Sequence, residues 1–293
     1  MAELSQIFAQ QPWLVWVGGA LLGLSVGSFL NVVIHRMPLM LERQWKRECR
    51  ELLELEAEQE TRERFNLIVP RSRCPHCGHR IGALENIPLL SWLWLRGRCR
   101  ACREPIGLQY PMVELFTALL TLLVLWRLGP TAQALAAMLF TWTLIALSGI
   151  DLKIYILPDN ITLPLLWLGL LLNWQGLYTS LDSALLGAVA GYLSLWLLYH
   201  GFRLLTGKEG MGYGDFKLFA AIGAWLGWQM LPLVIILAAV AGAVIGIGLI
   251  VLRGRDRAQP IPFGPFLAIG GWVALMWGEE ITRSYLRSAG ILY

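Results

Sequence analysis

Charge is in short supply in this chain. Only 15% of its 293 residues are Asp, Glu, Lys or Arg, against 56% hydrophobic ones, whereas a soluble globule carries nearer a quarter charged. A water-soluble fold is thereby excluded. Short segments of alternating polarity are also missing, which excludes a transmembrane β-barrel. The one Gly-x-Ser-x-Gly, Gly23-Leu24-Ser25-Val26-Gly27, lies inside a continuous apolar run and not at a strand-to-helix turn, so it is no elbow for a serine nucleophile. Nor does a Gly-x-Gly-x-x-Gly follow a strand pattern, so a nucleoside cofactor would not be held in the Rossmann manner. The first apolar run, Trp13 to Ile34, lacks a small-residue cleavage site after a short core and ends in His35-Arg36, so it reads as a retained helix and not a signal peptide. No period of 20 to 50 residues and no low-complexity linker marks a repeat array.

What is present is a series of continuous apolar runs, each near the 20 or so residues a membrane-crossing helix needs. The expected spans are 13–34, 111–128, 132–150, 156–174, 183–205, 216–229, 231–252 and 261–277. The long stretch from Phe216 to Leu252 is divided at Gly227-Trp228-Gln229-Met230-Leu231-Pro232, where glycine and proline interrupt a helix. The expected architecture is an all-α polytopic membrane protein of about eight transmembrane helices, with a small zinc-binding module after the first. Residues 1–34 would hold the N-terminal end and first span, 35–110 a cytosolic domain, and 111–293 the remaining membrane domain. Tryptophans such as Trp13, Trp16, Trp92 and Trp94 are expected as interface anchors.

The cytosolic insertion has two parts. Leu41 to Phe65 is rich in Glu, Arg, Leu and Gln and free of Gly and Pro. Leu41, Trp45, Cys49, Leu52 and Leu55 recur there at helical spacing, giving a solvated helix with one apolar face for packing. Cys74-Pro75-His76-Cys77 and Cys99-Arg100-Ala101-Cys102 follow, twenty-one residues apart. Two Cys-x-x-Cys turns bring four thiolates to one cation, the pattern of a structural zinc site. Two disulfides or a redox dithiol are the competing readings. His76 and His79 are expected as bystanders, and Cys49 as a free thiol.

Lys and Arg crowd one side of the predicted spans: Arg36 to Arg50, Arg96 to Arg103, Lys153, Arg203 to Lys217 and Arg253 to Arg257, against Arg127, Arg283 and Arg287 on the other. The crowded side is expected to be cytoplasmic, with both chain ends outside. A cytosolic setting disfavours disulfides and favours zinc.

The same side receives two carboxylates. Asp151 ends the third span, and Asp215 opens the sixth behind the loop Gly207-Lys208-Glu209-Gly210-Met211-Gly212-Tyr213-Gly214. Two carboxylates at one depth can share a proton, one drawing a proton from water while the other polarises a carbonyl, which is aspartyl proteolysis. Gly210, Gly212 and Gly214 would let a substrate backbone approach. The plain alternative for Asp215 is a helix cap. Asp159, in Leu157-Pro158-Asp159-Asn160, rivals Asp151, but its neighbours suggest a turn or helix start, and Asp151 is preferred. His35 and His200 are expected at interfaces, without catalytic roles. A proton-coupled transporter and a zinc-bearing scaffold are readings of other classes. A transporter would place charges near the midplane with a repeat between halves, and neither is visible.

Gly210 through Lys217 resembles the Gly-x-Gly-Asp motif of the type IV prepilin peptidase family, and Ile150-Asp151-Leu152 with Leu157-Pro158-Asp159 is similar to its first aspartate block. The resemblance extends through Gly27-Ser28-Phe29-Leu30-Asn31-Val32, Pro70 to Cys77, Glu85 to Trp92, Leu95 to Cys102 and Tyr110-Pro111-x-Val113-Glu114, in order along nearly the whole chain. It implies an inner-membrane enzyme that removes the basic leader of prepilins and pseudopilins, with Asp151 and Asp215 as the peptidase pair. It also implies methylation of the new amino terminus with S-adenosylmethionine, in an N-terminal half where Gly97 and Glu114 are candidates. The implied alternative is a peptidase without methyl transfer. Prepilins, pseudopilins and lipid are the expected partners; nucleic acid is not.

Overall fold

A computed structural model describes residues 11–54, 64–253 and 261–291. Among them the regular structure is all helical, with two isolated β-bridges and no strand. The first ten residues, 55–63 of the charged stretch, Arg255 and Arg257 lie outside the described residues. The chain divides into two compact units between Pro130 and Thr131.

In the first unit, α1 (Pro12–Leu52) is one helix of 41 residues. The expected first span and the start of the charged helix are thus continuous, Pro38 being absorbed within it. At about 1.5 Å per residue this is roughly 60 Å, twice the hydrocarbon thickness of a bilayer. Its N-terminal half packs along α3 (Gln109–Leu128) through Gly19, Gly23 and Gly27, which lie on one stripe. A Cβ on Gly23 would stand 2.6 Å from the Cα of Ala118, and one on Gly27 2.7 Å from the Cα of Glu114. Small residues at this spacing let membrane helices approach backbone to backbone. Between α1 and α3 the chain forms the cysteine module and a five-residue helix, α2 (Leu90–Trp94).

The second unit holds α4 (Ala132–Ile154), α5 (Asp159–Trp174), α6 (Leu181–Thr206), α7 (Tyr213–Leu226), α8 (Leu231–Arg253) and α9 (Gly264–Ser288). α7 is its axis: Asp215, Phe216 and every residue from Leu218 to Trp225 are buried, against α5, α6, α8 and α9. Gly187 and Gly191 of α6 meet the backbone of Gly223 and the carbonyl oxygen of Phe219. Gly169 of α5 accommodates the Trp225 ring, whose indole N–H donates to Leu165 O at 2.8 Å. At the end away from the aspartates, the Asn173 side-chain amide donates to Ala224 O and Trp225 O and accepts from the N–H groups of Tyr178 and Thr179. That one buried side chain fixes α5, α7 and the turn leading to α6.

By length and composition, five helices suit a membrane crossing: α1, α3, α4, α6 and the segment Trp228–Leu252 that contains α8. The expected eight are therefore not all matched among the described residues. α5 and α7 have 16 and 14 residues, too few by that measure. α9 has 25, but its glycines and the acidic pair Glu279-Glu280 dilute its apolar character. The break within 216–252 falls where expected, at Gly227 with φ +82° followed by a 3-10 turn over Trp228–Met230.

Candidate active site and metal centre

Asp151 lies at the end of its helix as expected, in the last turn of α4, which runs past the expected boundary at Ile150 to Ile154 and ends at Tyr155 in the left-handed conformation, φ +57°. That extra turn places the carboxylate in the interior, 5% exposed. Its Oδ2 accepts the backbone N–H of Gly264 at 3.1 Å, from the first turn of α9, 113 residues away. A Cβ at Gly264 would stand 2.6 Å from the same oxygen, so this approach requires glycine.

Asp215 occupies the third position of α7 and is 7% exposed. Its Oδ2 accepts the N–H of Gly212 at 3.1 Å, which is the carboxylate half of a capping box, the half a glycine N-cap permits. The cap reading of Asp215 is thus correct in geometry, and it holds the carboxylate in one orientation. Leu157, in the turn between α4 and α5, packs beside both acids: a Cβ on Gly214 would lie 2.8 Å from Leu157 Cβ, and one on Gly264 3.1 Å from its Cδ atoms. The room beside Gly214 is filled by Leu157, and Gly210 rests on the Phe202 ring.

Asp159 is elsewhere. It is the first residue of α5, after Pro158, with its side chain half exposed and both oxygens on Lys217 Nζ at 2.6 and 2.7 Å. A carboxylate at a helix N-terminus with an ammonium partner is a structural arrangement. Gly264 is the site residue sequence reasoning missed. Its signal, Phe263-Gly264-Pro265 at the head of an apolar run, says nothing about which distant side chain the N–H meets.

In the first unit, Cys74, Cys77, Cys99 and Cys102 bring their sulfurs within 4.8 Å of one another. Cys74 Sγ to Cys102 Sγ is 3.8 Å and Cys77 Sγ to Cys99 Sγ 4.0 Å, close to the edge of about 3.8 Å for a tetrahedron with metal–sulfur bonds near 2.3 Å. The two Cys-x-x-Cys turns are built alike. Gly78 N–H donates to Cys74 O and Arg103 N–H to Cys99 O, with Gly78 and Arg103 both at positive φ. The N–H groups of Cys77 and His76 draw the Cys74 thiol down to about 7, and those of Cys102 and Ala101 lower Cys99. The donor set suits one zinc ion, and His76 and His79 stand outside it. His79 Nε2 lies 3.1 Å from Glu85, which also receives Arg100 and the Gly82 N–H and is held below its usual carboxylate range by these partners, the Gly82 N–H foremost. Glu85 thereby ties the first cysteine turn to the second.

Gly97 has φ +66°, and a Cβ there would stand 2.9 Å from the Trp92 ring. Glu114 is buried, its Oε2 accepting the Leu89 N–H at 2.8 Å, with the Ser28 hydroxyl as a second partner.

Fold and site together define a multi-pass membrane protein with two buried aspartates, each held by a backbone N–H, and a separate four-thiolate centre. Sequence comparison agrees in both halves: Bacterial Peptidase A24 N-terminal domain matches residues 21–128, and Type IV leader peptidase family matches residues 138–247. The chain belongs to the type IV leader peptidase family. It is 59% identical over 286 residues to the Prepilin leader peptidase/N-methyltransferase of Aeromonas hydrophila, covering 98% of this chain and 99% of that one. With the protein of the same name from Aeromonas salmonicida it shares 60% over 287 residues, covering 98% and 99%. With that from Pseudomonas aeruginosa it shares 58% over 270 residues, covering 92% and 93%. No solved structure matches the chain.

Proposed function

We propose that this chain is a membrane aspartyl endopeptidase that removes the leader of type IV prepilins or type II secretion pseudopilins, and that it then methylates the newly exposed amino terminus with S-adenosylmethionine. The supporting observation for the peptidase is the pair of nine-tenths-buried carboxylates, Asp151 and Asp215, brought from different helices to one end of the second unit and each oriented by a backbone N–H. The pair shares one proton. The ionised member takes a proton from water as the water oxygen attacks the scissile carbonyl, and the neutral member donates to the developing oxyanion. Collapse of the tetrahedral intermediate then returns a proton to the leaving amine. Gly212 and Gly264 act by holding the two carboxylates, and Asp159 has no part in the chemistry.

The four cysteines hold a structural zinc, and S-adenosylmethionine, when bound, supplies the methyl group. The family names support methyl transfer, and Gly97 and Glu114 are its proposed residues in the first unit. In this reading the protein spans the bacterial inner membrane, with the aspartates on the cytosolic face and both termini outside, as the Lys and Arg distribution indicates. Purified protein incubated with a prepilin, with and without S-adenosylmethionine, tests the proposal by mass spectrometry. Loss of the leader followed by a gain of one methyl mass is expected; an intact precursor would overturn the peptidase, and an unmethylated product the second activity. Asp215→Asn protein should still methylate a pre-cleaved pilin peptide.

A further inference from the structure

Apart from the two centres, the first unit exposes apolar surface where a water-facing domain would not. α2 presents Leu90 (63% exposed), Leu93 (62%) and Trp94 (85%); at positions i, i+3 and i+4 they share one face of the helix. Its inner face is taken by Trp92, which packs on Gly97 and donates its indole N–H to Ile106 O at 3.4 Å. Trp94 joins the outer face to a cleft of about 490 Å³ that Arg96, Arg98, Arg100 and Arg103 line. All four arginines are exposed. Among the described residues only Arg100 of the four has an acid partner, Glu85 at 3.3 Å.

The depth of α2 follows from what holds it. Leu89, which precedes its first residue, takes φ +57° and donates its N–H to Glu114 Oε2 at 2.8 Å. Glu114 lies five residues after Gln109, where α3 begins, and the 20 residues of α3 suit one membrane crossing by length and composition. At about 1.5 Å per residue, that contact is roughly 7 Å inside the span. α1 agrees. Gly27, where a Cβ would stand 2.7 Å from Glu114 Cα, precedes the end of the apolar run at Ile34 by seven residues, roughly 10 Å. Leu89 is thus fixed below the mouth of both helices, and the apolar face that starts one residue later meets the edge of the hydrocarbon and not bulk water.

We propose that α2 lies in the interfacial layer of the bilayer with Leu90, Leu93 and Trp94 toward the acyl chains, and that the arginine cleft receives the phosphate of an anionic phospholipid headgroup. Leucine and tryptophan on one side and basic groups on the other are the composition of an element seated at that boundary. Guanidinium forks bind phosphate through paired N–H groups, and an anionic leaflet attracts basic residues within a Debye length of it. A soluble anion would use the arginines but leave the three apolar side chains in water; a lipid satisfies both. Arg100 and Arg103 belong to the second cysteine turn, so the same contact holds the cysteine module against the membrane.

The test uses the full chain in nanodiscs made of phosphatidylcholine and phosphatidylglycerol in equal amounts. With Trp94→p-benzoylphenylalanine, a change at an exposed position that leaves packing undisturbed, ultraviolet light should attach lipid to the peptide containing residue 94, with phosphatidylglycerol in excess. The same photo-reactive side chain at Trp45, eleven residues beyond Ile34 on α1, should attach none. Lipid adducts no more frequent at 94 than at 45 would overturn the placement of α2. Arg96→Gln, Arg98→Gln and Arg103→Gln together should lower the phosphatidylglycerol excess several-fold, since one basic residue near an anionic surface is worth a factor of about five. An excess that survives the three changes, or adducts of the two lipids in equal number from the start, would overturn the assignment of the cleft. The excess is a ratio within one sample, so a misfolded fraction that meets no lipid does not alter it.

Discussion

Replacing Gly264 by alanine isolates the placement of Asp151 from its chemistry. The substitution keeps the N–H that donates to Asp151 Oδ2, so no hydrogen-bond donor is deleted. The added Cβ falls 2.6 Å from that oxygen and 3.1 Å from both Cδ atoms of Leu157. Leu157 is buried and packed against Gly214 on its other side, so it cannot simply move aside. The carboxylate or the first turn of α9 must therefore shift by roughly half an ångström to one ångström, a scale at which misplacing a reacting group costs about tenfold to a hundredfold in rate. That corresponds to about 1.4–2.7 kcal/mol in the barrier. Overpacking should cost a further ~1–3 kcal/mol of stability, which a rate measured per folded molecule does not register. The assay is leader cleavage of a prepilin in detergent, followed by gel shift at saturating substrate. Gly201→Ala is the control: it lies within α6, nothing stands within 4 Å of its Cβ position, and no loss of rate should follow. A Gly264→Ala enzyme with the wild-type kcat would refute the claim that this contact positions the carboxylate.

Either Asp151→Asn or Asp215→Asn should abolish cleavage, while Asp159→Asn removes only a half-exposed pair with Lys217, worth about 0–1 kcal/mol, and should leave the rate within a factor of two or so of wild type in the same gel assay. Cys74→Ser or Cys102→Ser should lower the zinc content of the purified protein and make residues 64–108 sensitive to limited proteolysis, as read by elemental analysis and peptide mapping. Acidification should release the metal, because protons compete with it for the four thiolates that bind it. Glu85 is held below its usual carboxylate range, so its contribution is present above that range and lost as pH falls through the lowered value, and Glu85→Gln should flatten the acid limb of a proteolysis–pH profile. Gly223→Val should prevent the second unit from packing, since Gly187 backbone fills that space, and should be seen as aggregation in size-exclusion chromatography.

Much of the site was legible because its chemistry sits in short local patterns. Two Cys-x-x-Cys turns need no tertiary information to be read as one centre, and Pro158 next to Asp159 already identified a helix start. The contacts that orient the aspartates are of another kind. Gly264 meets Asp151 across 113 residues, and no local pattern records that pairing. The stripe Gly19, Gly23 and Gly27 and the pair Gly187 and Gly191 were visible as spacings, yet hydropathy counts glycine as filler in an apolar run and so hides its use as a contact surface. The continuity of α1 was missed for a related reason. The change from apolar to charged composition at His35 marks a change of surroundings, from lipid to water, and a helix whose hydrogen bonds are internal has no need to end there.

The shortness of α7 is the remaining difference, and it bears on the site. Fourteen residues make a helix of about 21 Å, less than the roughly 30 Å of a hydrocarbon core. A segment of that length, preceded by a glycine loop whose backbone is not helical, would leave unsatisfied peptide groups facing lipid if it stood alone. It does not stand alone: ten of its fourteen residues are buried by neighbouring helices. Protein replaces lipid around it, and the backbone is free to stop being a helix where the chemistry requires. Gly212 and Gly214 lie at that point, one turning its N–H to Asp215 and the other admitting Leu157. The glycine-rich loop, the short helix and the close-packed glycines of α6 are therefore consequences of one requirement, that a carboxylate be held inside an apolar protein with its orientation fixed by backbone.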